Sequence, residues 1–451
     1  MRGQLSKETR LTISVTRLKS GMKELREEIS ELKRSNREKD KTIALLREKL
    51  EDKEAQRKEL ASYLYKPGKK EGPGKPRGKK PGAPAYHRPV PRPETVTEEH
   101  AYALRQCPAC RKPVGAAVDT VVKYEEDIAL KPPPTVKKYV ISRHWCSSCE
   151  TYVRSADIPP IRRIGINTLG YVLFARYRLR LPLNKIQESL QDLYDFKISE
   201  GEIVVLIKEA EILFGEDHEA IIALIREARV VYADESGWRM DGKNWWLWVF
   251  RAKDGTRYMI EDTRGKGVAE EALGDKEDRV LSSDGYAAYQ NLKGDKQQCW
   301  VHLLRVAKLH SPKLYADLAL LYKKLLIELG KPIRERDKKR FEEGLAGLIG
   351  KKYPEPGAKK VQARMVRHTP FLFTCLSYEE VLPENNTAER AIRTQVVMRK
   401  IFGGSRSLAG ARAHAVNSSV LETMRQQNPD QGFFEVVQPL LEERWSEHAG
   451  K

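Results

Sequence analysis

The sequence has no run of about 18 or more uninterrupted apolar residues, so nothing in it reads as a transmembrane helix. Its opening MRGQLSKETR leads into a heavily charged segment and has no apolar signal core. A membrane-spanning or secreted protein is therefore not expected. Cysteine is scarce, with six in 451 residues, and aromatic residues make up 8%. With 40% apolar residues that is still enough for at least one sizeable core, and wholesale disorder is excluded. Acidic residues are also short, 63 against 82 Lys and Arg, a formal charge of +19. A chain of this length holds roughly two to four domains.

The excess charge is concentrated. Residues 1–65 hold 17 basic and 12 acidic side chains, residues 66–93 hold 9 against 1, and residues 390–412 hold 6 against none. Residues 94–389 are near balance, with 47 basic and 44 acidic. A merely solubilising surface would spread its charge, so concentrated basic runs point to a polyanion such as nucleic acid.

From Leu11 apolar residues recur at alternating steps of four and three. One seam reads Leu11, Leu18, Leu25, Leu32, Lys39, Leu46, Lys53, Leu60, and the other Val15, Met22, Ile29, Asn36, Ile43, Leu50, Arg57, Leu64. A period of about 3.5 predicts a coiled coil over 1–65. Leucine on one seam, with β-branched residues and a single Asn on the other, favours a parallel homodimer, since Asn36 meets its own copy only in register. Pro and Gly in YKPGKKEGPGKPRGKKPGAPAYHRPVPRP then predict a flexible basic linker over 66–95.

Four of the six cysteines form two knuckles, CPAC (Cys107, Cys110) and CSSC (Cys146, Cys149), within a segment 96–160. Four thiolates so spaced read as a zinc ribbon, structural because four thiolates leave no open coordination position. The runs VDTVVKYEEDIAL and PTVKKYVISRHW between them are expected to be strands. His144 is read as a strand or surface residue and not as a ligand. Residues 161–225 read as short helices: INTLGYVLFARYRLR, a break at Leu181 and Pro182, LNKIQESLQDLYD, then SEGEIVVLIKEAEILF with a Ser199/Glu202 capping box. A helix-turn-helix and a plain helical connector both fit that pattern.

Strand-like runs at 229–238, 244–252 and 256–262 are separated by Asp241-Gly242 and Asp254-Gly255, both hairpin signals. A helix-like GKGVAEEALG, a strand RVLSSDGY, a helix AAYQNL and a strand-like QQCWVHL follow. Three antiparallel strands followed by alternating helix and strand is the order of an α/β RNase H-like fold, with Trp245, Trp246 and Trp248 as core candidates. Asp234 falls within the first strand and Asp284 at the end of the fourth, its parallel neighbour in that order. Two close carboxylates repel unless a hard cation such as Mg²⁺ takes oxygen ligands from both. The third acid is Glu389, on a helix starting near Asn386; Glu384 precedes the cap. The domain then runs 226–412 with a helical insertion at about 311–380, whose helical stretch from about 313 to 350 carries Leu314, Leu318, Leu321, Leu325 and Leu329 on one face. A C-terminal helical tail fills 413–451.

The runs ADESGW, NWWLWV, SSDGYAAY, CWVHLLR, ENNTAERAIR and VVMRKIFGGS, in this order, resemble the catalytic region of insertion-sequence transposases of the IS sixty-six (TnpC) type, a DDE family. The coiled coil, basic linker, paired knuckles and LPLNKIQESL helix occur in the family's order, so the resemblance spans nearly the whole chain. It implies that Asp234, Asp284 and Glu389 are the DDE triad, with Mg²⁺ or Mn²⁺. It implies that Cys299 and His302 are the family's C-x-x-H element, structural or supporting, since thiolate is a poor ligand for a hard ion. It also implies small companion proteins and a place in a prokaryotic cytoplasm at the nucleoid.

The implied chemistry is metal-assisted cleavage at the element ends followed by joining of the freed 3′-OH to target DNA. Arg390, Arg393, Arg399 and Lys400 are candidates for holding phosphates, and the zinc ribbon and the 166–215 helices for reading terminal inverted repeats. Two rivals remain at this level: a non-enzymatic zipper and zinc-ribbon DNA-binding regulator, which leaves the three acids unexplained, and an RNase H-like nuclease that cuts without joining.

Overall fold

The computed structural model describes residues 7–63, 90–101, 105–106, 108–113, 115, 121–124, 134–153, 155, 157–158 and 161–449. In chain order the elements are α1 (Lys7–Tyr63), β1 (His144–Cys146), β2 (Thr151–Val153), α2 (Ile166–Leu173), α3 (Leu183–Tyr194), α4 (Glu200–Leu213) and α5 (Gly215–Glu227). They continue with β3 (Val230–Met240), β4 (Lys243–Arg251), β5 (Thr256–Glu261), α6 (Lys266–Leu273), β6 (Val280–Ser283), α7 (Ala287–Gln290) and β7 (Asp295–Gln298). The rest is helical: α8 (Trp300–His310), α9 (Pro312–Leu329), α10 (Lys338–Gly350), α11 (Ala358–Leu372), α12 (Asn386–Phe402), α13 (Leu408–Gln427) and α14 (Phe433–Ala449). They fall into two compact units, one of residues 1–71 with 300–376 and one of residues 72–299 with 377–451. No helix among the described residues is long and apolar enough to cross a membrane.

The second unit is built on a five-stranded sheet in the order β5-β4-β3-β6-β7. β3, β4 and β5 form the antiparallel meander, and β6 and β7 add in parallel. The first turn is the Asp-Gly type whose two residues both take positive φ, 48° at Asp241 and 73° at Gly242, matching the right-handed twist of the strands. Alternation along β3 sends Val231 and Ala233 to one face, with Trp248, Phe250 and the helices α2 to α6. It sends Tyr232, Trp238 and Met240 to the other, with Leu247, Val249, Tyr258 and residues Ala388, Ala391 and Ile392 of α12. Trp248 is fully buried, while Trp245 and Trp246 are half-buried against the core.

Several boundaries differ from those expected from sequence. Only Asp295–Gln298 of the fifth strand is extended; after Cys299 the run WVHL is already helix α8. The helical stretch expected over about 313–350 is made of two helices, α9 and α10, separated around Pro332, which cannot continue α9. Leu314, Leu318 and Leu325 are buried there, and Trp300, Phe341 and Phe373 complete that unit's core. The C-terminal boundary at 412 falls inside α13, whose residues 413–421 are all buried, so α13 is a core element and not the start of a tail.

The Ser199 hydroxyl and the Glu202 carboxylate close the capping box of α4. α3 and α4 pack Ile186, Leu190, Ile203, Leu206 and Ala210 into the sheet's own core. α4 carries four Glu and one Lys, the wrong sign for a helix lying in a DNA groove, so a recognition-helix role for it is not supported by its electrostatics.

α1 is one continuous helix of 57 residues. Its seam residues Met22, Leu25, Ile29, Leu32, Ile43, Leu46 and Leu50 are between 46% and 60% exposed in the single chain. Leu64 and residues 66–89 of the expected linker lie outside the described residues, as does Cys107. Of the strands expected between the knuckles, the described residues form only His144–Cys146, which pairs with Thr151–Val153 around CSSC. His144 is exposed in β1, as a strand residue. Gln106 and Pro113 bridge around CPAC, and the residue after each knuckle, Arg111 and Glu150, turns with φ of 60° and 50°. The backbone N–H of Cys149 donates to Cys146 and holds its thiol below the usual thiol range.

Candidate active site

Parallel pairing puts two acids at matching positions. Val230, Val231 and Tyr232 of β3 face Val280, Leu281 and Ser282 of β6, so Asp234 and Asp284 each follow the last paired residue of their strand by two positions. Immediately after Asp284 the chain turns at Gly285 with φ of 87°, where a Cβ would collide with the Gln298 side chain, so only glycine fits. Both carboxylates are oriented by backbone: Asp234 Oδ1 accepts from the Glu235 N–H at 2.9 Å and Asp284 Oδ1 from the Tyr286 N–H at 2.9 Å.

Glu389 lies in the first turn of α12, the helix that covers the Asp234 face of β3. Asp234's carboxyl is pushed well above the usual range, first by burial and then by the negative charges of Glu235, Asp284 and Glu389. The charges of two acids singled out from sequence, Asp284 and Glu389, thus reach the third, Asp234, while the Glu389 carboxylate also has Cys299 Sγ within 4.8 Å. The donors of the three acids are hard carboxylate oxygens whose mutual repulsion a divalent cation would relieve, which is the donor set Mg²⁺ or Mn²⁺ takes.

Glu235, next in sequence, points to the opposite face because strand side chains alternate. There it accepts from the Tyr289 hydroxyl, and from Arg264 Nε at 3.1 Å. Burial first, then Asp284, raises its carboxyl above the usual value. The Arg264 guanidinium lies 3.7 Å from the Tyr286 ring centre and 4.7 Å from that of Trp246. ADESGW thus contains two acids with different environments, and its alternation was the signal that separates them.

Sequence reasoning assigned no role to Asn385, which is fully buried. Its Nδ2 donates to the Ala233 carbonyl at 2.8 Å, its N–H to Cys299 Sγ at 3.2 Å, and its carbonyl accepts from the Glu389 N–H at 3.1 Å. The Cys299 N–H in turn donates to the Ser283 carbonyl at 2.9 Å. Asn385 therefore ties together the residues flanking Asp234 and Asp284 and the turn bearing Glu389. Cys299, 2% exposed, serves this frame as an acceptor. His302 is in α8 and half-buried.

Of the four cations proposed for phosphate, Arg390, Arg393 and Lys400 are exposed on α12. Arg399 is turned inward instead: its guanidinium donates to the Gly237 carbonyl and approaches Ser236 Oγ at 3.5 Å. It braces α12 against β3, because a half-buried guanidinium needs acceptors where water is excluded.

The model of the transposase IS66 family matches residues 163–413. No curated protein matches the chain.

Proposed function

Because the chain belongs to the transposase IS66 family, we propose that it cuts DNA at the ends of its element and joins the freed 3′ ends to target DNA, with Asp234, Asp284 and Glu389 as the catalytic acids. The observation that carries this reading is the placement of Asp234 in β3, Asp284 just past β6 and Glu389 in the first turn of the α12 that packs on β3, with Asp284 and Glu389 among the charges that act on Asp234. Asp234, Asp284 and Glu389 would hold Mg²⁺ or Mn²⁺, which would supply Lewis acidity toward the phosphodiester. The protein's part is to hold three oxygen donors in place before substrate arrives. The N–H groups of Glu235 and Tyr286 fix one oxygen of each Asp, which orients the other. Water attacks phosphorus and the 3′ oxygen leaves with a proton; that 3′-OH then attacks a target phosphorus, displacing the target's 3′ oxygen. Arg390, Arg393 and Lys400 on α12 hold the phosphates flanking the break.

The test is strand transfer. A duplex with a pre-cut element end bearing a 3′-OH should become covalently joined to a target plasmid when Mg²⁺ is present. A preparation that cleaves its own ends but never joins them would make the protein a nuclease instead.

Cys107, Cys110, Cys146 and Cys149 are proposed to hold one structural Zn²⁺. The supporting features are the β1–β2 hairpin around CSSC and the Cys149 N–H that stabilises a thiolate at Cys146. Elemental analysis of purified protein should return one zinc per chain, lost in Cys146→Ser together with binding to terminal repeats. Full metal-free binding to those repeats would refute the assignment.

The coil pairs two chains in parallel and so brings two element ends together, its exposed Leu and Ile seam being the surface buried. Removing residues 1–65 should halve the mass measured by light scattering. A truncated protein of unchanged oligomeric state would rule the coil out as the dimer contact.

A further inference from the structure

The near balance of residues 94–389 conceals two opposite halves. The insertion, residues 300–376, holds 17 Lys and Arg against 7 Asp and Glu, while 94–299 with 377–389 hold 30 against 37. This strongly basic segment is, beyond His310, one to which the family resemblance gives no role.

Within that segment the charge is not evenly compensated. On α10, Lys338 and Lys339 each have a carboxylate one turn on, Glu342 and Glu343, at 4.0 Å. Asp317 is taken by Lys351 at 2.7 Å, and Glu328 by Arg340 at 2.8 Å and Lys331 at 2.9 Å. α11 is different: AKKVQARMVRHTPFL contains no acid at all. Its apolar side, with Val361, Met365 and Leu372, is buried and fixes the helix in place. Lys360, Arg364 and Arg367 recur at i, i+4 and i+7, which lines them along the other face, with Lys359 beside them. Lys359, Lys360 and Arg367 are exposed and Arg364 is half-buried.

We propose that this face of α11 binds the phosphate backbone of duplex DNA. The proposal rests on the transposase reading for its choice of polyanion. From Lys360 to Arg367 the helix advances about 10 Å, about three base-pair rises along one strand, so the row can meet successive phosphates. Long cationic side chains on a rigid helix contact phosphate without reading base edges, so the interaction is sequence-independent. It suits target DNA or the flank of an element end better than the terminal repeat itself.

The experiment uses the full chain and a fluorescent duplex of about 30 base pairs and arbitrary sequence, titrated between about 50 and 200 mM salt. Arg364→Gln/Arg367→Gln should lower the slope of log affinity against log salt by about two, at about 0.9 for each phosphate no longer neutralised. Lys338→Gln/Lys339→Gln removes the same charge from the same unit, but from cations already paired, and should leave the slope nearly unchanged. Equal slope changes in the two variants would reduce α11 to a general contribution to net charge and overturn the proposal, as would an unchanged slope in the first. So would a first variant that loses single-stranded RNA while keeping duplex DNA. Cleavage of element ends by the wild type is scored in parallel. Cleavage with an unaltered slope refutes α11 alone, while an altered slope without cleavage refutes the transposase reading and leaves α11 as a DNA-binding face.

Discussion

Asp284→Ala should abolish Mg²⁺-dependent cleavage at the element ends while leaving end binding intact. Several kcal/mol of transition-state stabilisation come from metal held at such a site, and each ~1.4 kcal/mol is tenfold in rate, so the expected loss is at least about a thousandfold. Binding survives because the cations, the knuckles and the coil lie elsewhere in the sequence. Asp234→Asn should be as inactive, with a second signature. A carboxyl whose folded pKa is raised favours the fold fully below its unfolded value of about 3.9, and that contribution is lost as pH rises through the folded value. Near neutral pH the wild type without metal therefore carries a cost that an uncharged carboxamide avoids, so the variant's unfolding midpoint should be higher and should fall less as pH rises. Added Mg²⁺ should raise the midpoint of the wild type and not that of the variant. Cleavage that persists in Asp284→Ala would sink the triad.

The second large effect is expected at Asn385, which touches no substrate in this reading and acts as a positioning residue. Asn385→Ala leaves the Ala233 carbonyl buried without its donor, a cost of about 1–3 kcal/mol in stability. The functional loss should exceed that. A displacement of about 1 Å among reacting groups can cost about a hundredfold in rate, and Asn385 connects the frames of all three acids. The distinguishing readout is the Mg²⁺ titration at a temperature where the variant is fully folded: the concentration for half-maximal cleavage should rise, with affinity for element ends unchanged. If activity falls only with the folded fraction, Asn385 is a packing residue and no more.

Local pattern carried much of the site. The meander was legible because period-two alternation and two Asp-Gly turns are short-range signals, and strand order then followed from the alternation of helix and strand. The candidate acids were picked for a chemical reason, since Asp234 within VVYADESGW is a charge where a strand should be apolar. Glu389 came from a helix start read two residues after Glu384. What failed was also physical. QQCWVHL is apolar enough for either state, and the strand ends where its pairing with β6 ends, at the Cys299 N–H bond to Ser283, an interaction that no local window contains. Arg399 read as one cation among four because sequence does not say which side chain faces a strand carbonyl.

By itself the sequence determined the meander and its turns, the seam of α1, the two cysteine knuckles and the family, and it singled out three acids as candidates, because each depends on spacing within a few residues or on ordered short motifs. Only the tertiary structure decided the rest. The β3–β6 register put Asp234 and Asp284 at matching positions, each two residues past the last pair. The faces of β3 were assigned by which helices covered them, which separated Asp234 from Glu235. Asn385 gained its role from partners as distant in sequence as Ala233 and Cys299. The unit boundaries at Cys299 and Ser377 showed that the near-neutral stretch 94–389 combines a basic segment, 300–376, with an acidic remainder. Spacing along a chain fixes what a segment can form, while hydrogen bonds and charges between remote segments act through space and exist only once the segments have met.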